Sequence, residues 1–431
     1  MKRVSIVTLG CKTNQFESAG MSESLVKEGF EIVPFGEEAD ICVINTCTVT
    51  ARTDAESRRL IRRAHRRNPS AVIVVTGCYA QLSPELFREF PGVSLIIGNS
   101  EKRDLVELLR VADVKPTVRV ADISRERRAD PLLLETFAEH TRAFLQVQNG
   151  CDSWCSYCIV PHVRGRSRSV SPDRALEGMR TFAARGFREV VLTGIHLGAY
   201  GLDLSPRSTL FDLVDRAERE RIVPRLRLGS IEPTEISDTL VELLANADTL
   251  CPHLHIPLQS GDDRILAAMN RPYTTAFFRE VVEKLATAVP PIFLGTDIIA
   301  GFPGETDEAF QSGYRFLESL PFAAFHVFPF SPRHGTPAAT MPGRVPAHVI
   351  KERAEALRNL SAEKKKRFFE GFLGKELDVL LLEQEENGVL KGLSRNYIPV
   401  SILCDAARIN DEVKVRVTGV EKDYVLGTVV S

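Results

Sequence analysis

The chain has 431 residues, too many for one compact core, so its length indicates two to four domains. Its formal net charge is −2, which excludes a nucleic-acid binder that depends on a global positive field; any such binding must use local patches. The sequence lacks the cleavage site of a signal peptide and any apolar run long enough to span a membrane, so its nine cysteines favour the reducing cytoplasm.

Three apolar runs in the first third of the chain are each followed directly by a cysteine. Helical segments separate them, a pattern that predicts βαβ units and a parallel sheet. Because the carboxyl ends of parallel strands meet at one edge, the three cysteines are predicted to converge there. The alternative is that each cysteine is a small buried apolar residue. The runs and cysteines are 3–10 with Cys11, 40–46 with Cys47, and 71–77 with Cys78.

An arginine-rich helix is predicted over residues 54–67, between the second and third strands. Its apolar residues Leu60, Ile61 and Ala64 share one side and leave the arginines outward. A solvated face is the usual reason for a charge run, but charge of nearly one sign suits a phosphate backbone better. The predicted RNA-contacting residues of this helix are Arg58, Arg59, Arg62, Arg63, Arg66 and Arg67.

A polar segment over residues 119–141 predicts a linker between an N-terminal domain, residues 1–118, and a central domain, residues 142–368. In the central domain strands alternate with helical segments, which predicts a parallel barrel or partial barrel with its active site at the strand C-termini. The predicted strands are 142–148, 189–193, 225–229, 253–257, 293–299 and 323–329.

Three cysteines follow the first of these strands in the spacing C-x3-C-x2-C: Cys151, Cys155 and Cys158. An odd number of thiols without secretory context argues against disulfides and leaves metal or cluster ligation. Three thiolates can hold three irons of a four-iron cluster and leave the fourth iron open for chemistry. The alternative is a structural zinc site completed by His162.

Glycines and polar residues follow several of the predicted barrel strands. Glycine allows a ligand to approach the backbone, whereas hydroxyl, carboxylate and amide groups offer hydrogen bonds. None of these turns is specific alone, because a glycine-rich turn after a strand is often only a turn. The candidate cofactor-binding residues at these strand ends are Gly194, Ser230, Glu232 and Gln259.

A long helix over 346–369 leads into a third domain, residues 369–431, with short strands at 377–384, 388–393, 397–402, 411–417 and 424–430. This pattern predicts a small β-barrel, and it resembles the TRAM domain, an RNA-binding barrel.

Acids outnumber bases in this barrel, and Glu383, Glu385 and Glu386 crowd one turn, so RNA contact is predicted on one face only. Tyr397 on that face could stack on a base. If the barrel binds weakly, phosphate contact would shift to arginines just after the cysteine loop. The predicted RNA-contacting residues are Lys391, Arg395 and Tyr397 in the barrel, and Arg164, Arg166 and Arg168 after the loop.

The C-x3-C-x2-C loop with Tyr157 before its last cysteine resembles the signature of radical S-adenosylmethionine enzymes. Combined with Thr-Leu-Gly-Cys-Lys-Thr-Asn-Gln at 8–15, Asn-Thr-Cys at 45–47 and Thr-Gly-Cys at 76–78, it resembles the methylthiotransferases along essentially the whole chain. Segments 9–18 and 192–201 look most like the branch that acts on N6-threonylcarbamoyladenosine. The implied fold is α/β: an N-terminal parallel-sheet domain, a central partial (β/α) barrel of radical S-adenosylmethionine type, and a TRAM-like barrel.

The resemblance also implies a mechanism with two [4Fe-4S] clusters and S-adenosylmethionine. One cluster, on Cys151, Cys155 and Cys158, would chelate S-adenosylmethionine through its open iron and yield a 5′-deoxyadenosyl radical that abstracts hydrogen from C2 of the adenine ring. The other cluster, on the three cysteines of the N-terminal sheet, would carry a sulfur atom that is methylated by a second S-adenosylmethionine and delivered to the substrate. Tyr157 and the strand-end residues named above would bind the cofactor.

The implied partners are the anticodon stem-loop of tRNA and an external low-potential electron donor such as flavodoxin or ferredoxin, with the chain acting as a monomer. Other branches of the same family act on isopentenyladenosine in tRNA or on an aspartate of a ribosomal protein. Two alternatives from other classes remain open: a cluster carrier without substrate chemistry, and an RNA-binding protein with structural zinc.

Overall fold

The computed structural model describes residues 1–110, 116–129, 141–385, 388–404 and 407–430. These residues form three units in chain order: an open parallel sheet, a partial barrel and a small closed barrel. Within those ranges, no helix combines the length and the apolar character that crossing a membrane requires.

The N-terminal unit is a six-stranded sheet in the order β2-β1-β3-β4-β5-β6, parallel throughout. Every residue of β3 is buried, as expected for a strand covered on both faces. The three strands predicted from the sequence are neighbours at its centre. The strands are β1 (Arg3–Thr8), β2 (Glu31–Val33), β3 (Ile41–Thr46), β4 (Val72–Gly77), β5 (Val93–Ile97) and β6 (Thr117–Arg119). The helices are α1 (Lys12–Lys27), α2 (Ala51–Arg67), α3 (Cys78–Leu82) and α4 (Leu105–Arg110).

The central unit contains two three-stranded parallel sheets, β7-β10-β11 and β12-β13-β14. Parallel bridges from Leu226 to Leu250 and from Ser230 to His255 join them into one open, curved sheet. All six predicted barrel strands are confirmed. The strands are β7 (Arg142–Gln146), β8 (Gln148–Asn149), β9 (Arg168–Ser169), β10 (Glu189–Thr193), β11 (Arg225–Leu228), β12 (His253–His255), β13 (Phe293–Ala300) and β14 (Ala324–Pro329).

Eight helices accompany these strands in the described part of the chain, and the main hydrophobic core lies between several of them and the sheet. The last is the long helix predicted from the sequence. The helices are α5 (Val160–Arg164), α6 (Pro172–Ala184), α7 (Leu210–Arg219), α8 (Asp238–Asn246), α9 (Asp263–Ala268), α10 (Thr275–Ala288), α11 (Asp307–Ser319) and α12 (Ala347–Glu370).

The C-terminal unit is a closed five-stranded barrel in the order β15-β16-β17-β19-β18, and all five predicted strands are confirmed. Closure removes the exposed sheet edges of a small β domain. The strands are β15 (Glu376–Gln384), β16 (Val389–Ser394), β17 (Pro399–Leu403), β18 (Glu412–Val420) and β19 (Val425–Val429).

Buried charges fasten the C-terminal barrel to the base of the central barrel. Arg225 and Arg227 are fully buried; Arg225 donates to the carbonyl of Leu393 at 2.9 Å, and Arg227 to that of Arg395 at 2.9 Å. Glu189, fully buried between them, accepts from Arg225 Nε and from Arg227 Nε, each at 2.9 Å. Because buried ions must be paired, this network holds the two units in one arrangement.

The domain limits drawn from the sequence remain a prediction. The N-terminal sheet ends at residue 119, where the predicted linker 119–141 begins, and residues 130–140 of that linker lie outside the described residues. Glu386, part of the predicted acidic turn, also lies outside them.

Candidate functional site

The C-x3-C-x2-C loop lies between β8 and α5, near the C-terminal end of β7. Its base is fastened by Gln148, whose Nε2 donates to the carbonyl of Gly150 at 2.8 Å. Gly150 has φ +75°, and a Cβ there would lie 1.8 Å from the carbonyl oxygen of Arg166, so no larger residue fits. The middle of the loop is held by Ser156, whose N–H donates to the carbonyl of Met269 at 3.0 Å.

Two of the loop thiols are in hydrogen-bond contact with side chains of the barrel. Arg271 Nη1 donates to Cys155 Sγ at 3.4 Å, and His196 Nδ1 lies 3.5 Å from Cys151 Sγ. Burial raises the pKa of Cys151, but its contact with His196 outweighs burial and lowers the pKa overall. Burial raises the pKa of the Cys158 thiol to about 12. A thiolate at Cys158 therefore requires a bound cation, which deprotonates a coordinating thiol, and the donor set fits an iron cluster.

The zinc alternative for this loop does not match the geometry. His162 is exposed, and its ring packs edge-on against Trp154 with centroids 5.3 Å apart. Tetrahedral zinc would bring thiolate sulfurs within about 3.8 Å of one another. Among the residues that the structure describes, no three ligand atoms of this loop and His162 lie within 4.8 Å of one another.

The second thiol set consists of Cys11, Cys47 and Cys78, which lie at the carboxyl ends of β1, β3 and β4, as predicted. Gly10, with φ +98°, lets the chain pass Cys47 closely, because a Cβ there would lie 2.9 Å from Cys47 Sγ. Burial, together with the neighbouring thiols of Cys78 and Cys11, raises the pKa of Cys47 to about 11. Two of the three thiols are buried and Cys11 is exposed, so the set is open on one side.

Arg164 joins the second thiol set to the central barrel. It belongs to α5, six residues after Cys158, and its Nε donates to Cys78 Sγ at 3.3 Å. Its Nη2 donates to Glu17 Oε2 at 3.1 Å, and it also contacts Asn14 on α1. The side chain is 1% exposed, so the predicted RNA contact of Arg164 is corrected: a buried, fully engaged guanidinium has no face for phosphate.

Glu17 balances the charge of this arginine inside the domain contact. It is buried and also pairs with the buried Lys102. Burial raises the pKa of Glu17, but the charges of Arg164 and Lys102 outweigh burial and lower it to about 2. The carboxylate therefore stays charged and keeps Arg164 in place near neutral pH.

A second arginine holds the segment that follows Cys47. Arg333, in the loop after β14, donates to Thr48 Oγ1 at 3.0 Å and pairs with Asp54 at the start of α2. Asp54 also accepts from Thr48 Oγ1 at 2.7 Å. All three residues are buried, so the segment after Cys47, like Cys78, is held by a contact from the central domain.

The predicted cofactor residues lie around the cysteine loop, each in a different setting. Glu232 pairs with Arg271, the residue that donates to Cys155, so the pair links the end of β11 to the loop. Burial raises the pKa of Glu232. Burial also raises the pKa of Tyr157, which the structure places within electrostatic range of Arg271.

Gly194, Ser230 and Gln259 mark three strand ends. A Cβ at Gly194 would lie 2.9 Å from Gln148 Oε1, so the chain passes close to the base of the loop. Ser230 is exposed and bridges to His255. Gln259 has φ +71°, and its backbone N–H donates to the carbonyl of Asp297 at 2.8 Å. Their contact with a cofactor remains a prediction.

The arginine helix has the predicted orientation: Leu60, Ile61 and Ala64 are buried. Arg58 is half-buried and donates to Tyr79 Oη at 2.8 Å, and Arg59 forms two hydrogen bonds with Glu56. The exposed arginines left on this face are Arg62, Arg63, Arg66 and Arg67.

Two further RNA predictions are corrected. Arg168 is 5% exposed and donates to the backbone carbonyls of Arg128, Arg164 and Arg166. Tyr397 does not face solvent as a stacking platform, because its ring lies 4.2 Å from that of His253 at the base of the central barrel.

Three other predicted RNA residues keep an exposed or half-buried position. Arg166 is exposed. Lys391 pairs with Glu385 and lies 3.7 Å from Glu383, so acids neutralise its charge. Arg395 donates to the carbonyl of Pro224 at 3.1 Å, which engages it in the domain contact.

Sequence reasoning missed the residues that support the thiols, chiefly Arg271, His196 and Glu17. Each lies far from its partner along the chain: Arg271 follows Cys155 by 116 residues. A signal existed for His196, which stands in the Gly-Ile-His-Leu-Gly turn after β10, where barrel active sites collect. Glu235 lies 2.6 Å from His196 Nε2 and orients that ring.

Family models match three consecutive parts of the chain. Residues 3–98 match the model described as uncharacterized protein family UPF0004, residues 145–317 the radical SAM superfamily, and residues 372–430 the TRAM domain. These parts correspond to the open sheet, the partial barrel and the closed barrel.

Curated relatives match over nearly the full length. A threonylcarbamoyladenosine tRNA methylthiotransferase MtaB from Bacillus subtilis is 37% identical, covering 97% of this chain and 94% of the relative. A protein of the same name from Aquifex aeolicus is 37% identical, covering 92% and 96%. A tRNA-2-methylthio-N(6)-dimethylallyladenosine synthase from Anoxybacillus flavithermus is 32% identical, covering 97% and 81%.

A solved structure supports the fold alone. The radical S-adenosylmethionine methyltransferase TsrM from Kitasatospora setae, solved with cobalamin and a [4Fe-4S] cluster bound, superposes with a TM-score of 0.58 at 18% identity. The match covers 78% of this chain and 77% of that one.

Proposed function

The chain belongs to the radical S-adenosylmethionine tRNA methylthiotransferases, and we propose that it methylthiolates C2 of N6-threonylcarbamoyladenosine at position 37 of tRNA. S-adenosylmethionine serves in this proposal both as radical source and as methyl donor. The supporting observation is the meeting of two three-thiol sets across one domain boundary, where Arg164 of the barrel contacts Cys78 of the sheet.

A [4Fe-4S] cluster and S-adenosylmethionine, which the radical S-adenosylmethionine family uses, supply the one-electron chemistry that activates the substrate. In this chain Cys151, Cys155 and Cys158 would hold that cluster. Arg271 donates to Cys155 and is itself held by Glu232, so the loop keeps one orientation. Trp154, within this loop, is 55% exposed and packs edge-on against His162.

A second cluster on Cys11, Cys47 and Cys78 is part of the proposal. Three thiols leave one coordination position without a protein ligand, which is where a sulfur atom for transfer would sit. Arg164 and Arg333 fix the backbone on either side of this set, and Gly10 and Gly77 let the strand ends approach one another. The chain's task there is positioning and exclusion of water.

Recognition of tRNA is proposed to rest on the exposed arginines of α2, with Arg166 after the cysteine loop. These side chains present positive charge along the outer side of the N-terminal sheet, where Arg62 and Arg63 lie over the rings of Phe90 and Phe35. Phosphate contacts of this kind position a nucleic acid without reading its sequence. The closed C-terminal barrel matches the TRAM domain.

The threonylcarbamoyl assignment is supported by the full-length relatives at 37% identity that carry that name, compared with 32% for a relative that acts on the dimethylallyl nucleoside. In this proposal an external low-potential protein such as flavodoxin or ferredoxin supplies the electron, and the chain works as a monomer in the cytoplasm.

The test is deletion of the gene from its host, followed by mass spectrometry of nucleosides from bulk tRNA. We expect the 2-methylthio form of threonylcarbamoyladenosine to disappear and the unmethylthiolated form to accumulate. An unchanged profile would refute the proposal. Loss of the 2-methylthio isopentenyl nucleoside, or of a methylthio-aspartate in a ribosomal protein, would assign the chain to another branch. Reduced protein that forms no 5′-deoxyadenosine from S-adenosylmethionine would instead indicate a cluster carrier.

A further inference from the structure

Three side chains on neighbouring strands of the central barrel form a compact group away from both thiol sets. His255 lies on β12, Asp297 on β13 and His326 on β14. Asp297 Oδ1 lies 2.9 Å from His255 Nε2 and 3.3 Å from His326 Nδ1. The two imidazole rings stack with centroids 5.3 Å apart. In the described ranges, this is the one set of three such residues whose ligand atoms all lie within 4.8 Å of one another.

The alternation of side chains along β12 and β13 places this group on the inner face of the sheet. Leu254 and Leu294 belong to the main core beneath the helices, as does Ile298. Because successive side chains of a strand point to opposite faces, His255 and Asp297 point away from that core, into the barrel.

The group lies between the base of the barrel and the cysteine loop. His253, one pleat below His255, stacks on Tyr397 at the base. Pro257, one pleat above, accepts a hydrogen bond through its carbonyl from Arg271, which also donates to Cys155. A nucleoside bound at the cysteine loop, with its N6 substituent extended into the barrel interior, therefore directs that substituent toward this group.

The three residues differ in exposure in a way that suits ligand binding. The side chain of His326 is 72% exposed, whereas those of His255 and Asp297 are 15% and 23% exposed. Burial raises the pKa of Asp297, but hydrogen bonds from His255 and His326 outweigh it and keep that pKa below its usual range. Asp297 thus serves as a charged anchor that orients His326 through Nδ1, and within the described ranges Nε2 of that exposed ring has no hydrogen-bond partner.

A second cation of the barrel interior comes from the N-terminal domain. Lys12 follows Cys11, is half-buried, and places its ammonium 5.9 Å from the centroid of the Phe144 ring on β7. Among the residues that the structure describes, it has neither a hydrogen bond nor a carboxylate at ion-pair distance. Its charge interacts with Tyr397 and Glu189 at the base of the barrel, and with His253, one pleat below His255. A desolvated ammonium without a partner is costly, and an anionic ligand offsets that cost.

We propose that His326, oriented by Asp297 and His255, binds the carboxylate of the threonylcarbamoyl group of the target nucleoside, with Lys12 supplying the second positive charge. This inference rests on the proposed function, since the isopentenyl nucleoside of the related branch has no carboxylate. The imidazolium form of His326 would donate from Nδ1 to Asp297 and from Nε2 to the ligand, so that it lies between two carboxylates. The group then selects the substrate by its charge.

The experiment measures binding of synthetic anticodon stem-loops to holoenzyme with both clusters. One stem-loop carries threonylcarbamoyladenosine, and a second carries its methyl ester, which has the same shape without the charge. We expect wild-type enzyme to prefer the acid, and His326→Gln to weaken binding of the acid about tenfold or more while leaving the ester unchanged. His348→Gln removes an exposed histidine of α12 and serves as the matched control, with both affinities retained. Lys12→Met should reduce the preference for the acid over the methyl ester.

The outcomes separate the inference from the function on which it rests. The inference would be overturned if His326→Gln and Lys12→Met both still bound the acid better than the methyl ester. The proposed function would stand if wild-type enzyme methylthiolated the acid. Methylthiolation of an isopentenyl stem-loop instead of the acid would overturn both. A divalent metal, bound beyond the iron of the clusters in wild-type enzyme and lost in His326→Gln, would also overturn it, because the group would then be a metal site.

Discussion

Arg164 Nε donates a hydrogen bond to Cys78 Sγ at 3.3 Å, across the boundary between the central barrel and the N-terminal sheet. The donor follows one cysteine motif and the acceptor belongs to the other. This contact ties the N-terminal thiol set to the central barrel, and Glu17 provides the buried negative charge that keeps the arginine there.

Arg164→Gln should weaken the docking of the two domains. The change leaves Glu17 buried with Lys102 alone and removes the donor to Cys78, and breaking a buried pair costs about 3–5 kcal/mol of unfolding free energy. Urea unfolding measures this loss. Arg166→Gln, an exposed neighbour, is the control and should change stability by less than about 0.5 kcal/mol. Equal stabilities for the two variants would show that the contact contributes nothing.

Cys78→Ser and Cys155→Ser should separate the two clusters. Each variant should lose about half of the iron, since each set holds one four-iron cluster. Cleavage of S-adenosylmethionine to 5′-deoxyadenosine should persist in Cys78→Ser, because the barrel set is intact, and cease in Cys155→Ser; neither variant should methylthiolate tRNA. Iron analysis and product chromatography provide the readouts. Cys42→Ser, a buried cysteine within β3, should keep full iron, and a comparable loss there would contradict the assignment.

The strands and the six cluster cysteines could be predicted from sequence because their signals are local. Val and Ile runs ending in cysteine specify β1, β3 and β4, and C-x3-C-x2-C specifies the loop. Three strands of the N-terminal sheet were missed: β2 and β6 have three residues each, too few for a periodic pattern, and β5 is a five-residue apolar run that no cysteine follows. Arg164 was misread for a different reason: an arginine in a basic run carries no local sign of the Glu17 that buries it 147 residues away.

Acid should weaken the contact between the central and C-terminal barrels through Glu189. Burial raises the pKa of Glu189, but Arg227 and Arg225 outweigh burial and hold it well below the usual range. A carboxyl whose folded pKa is lowered stabilises the fold fully above its unfolded pKa of about 4.3, and this contribution declines as pH falls below that value. The difference in unfolding free energy between wild type and Glu189→Gln should therefore shrink from pH 7 toward pH 3. A constant difference would contradict this.

Tyr397→Ala should lower the stability of the protein, and it should not lower RNA affinity through the loss of a stacked base. Its ring packs on His253 and Phe293 and lies under Arg227, so truncation removes contacts worth about 2–4 kcal/mol. Thermal unfolding gives the size of this loss. Tyr424→Ala, in the same barrel but 39% exposed, should leave the melting temperature nearly unchanged. Loss of RNA affinity without loss of stability in Tyr397→Ala would restore the original prediction.

Replacing Arg66 and Arg67 by Gln should lower affinity for tRNA and make it less dependent on salt. Each lost phosphate contact lowers the slope of log K against log salt by about 0.7–0.9. Filter binding between low and moderate salt measures that slope. Arg219 is an exposed arginine on α7 of the central domain, and Arg219→Gln should leave that salt slope unchanged. An unchanged slope in the double variant would place the RNA elsewhere.

The RNA face illustrates why partner contacts were predicted less well than the fold. The pattern of Leu60, Ile61 and Ala64 correctly oriented α2, because a helix period is a local property. Whether a cation is free for a partner depends on distant residues, as with Arg395, which donates to the carbonyl of Pro224, 171 residues away. The proximity of His255, Asp297 and His326 could not be predicted from the sequence either, because they lie on three separate strands.

The packing of Tyr397 against His253 has a consequence for the order of events in a catalytic cycle. The C-terminal barrel packs against the base of the central barrel, where the Tyr397 ring lies on His253. In the proposed cycle, substrate, spent cofactor and product then exchange at the opposite end of the barrel, where Arg164 contacts Cys78. In the proposed reaction two S-adenosylmethionine molecules are used per product, so the tRNA must withdraw, or leave space at the rim, before the cofactor is renewed. We therefore expect the exchange of tRNA and cofactor at that end of the barrel to limit turnover.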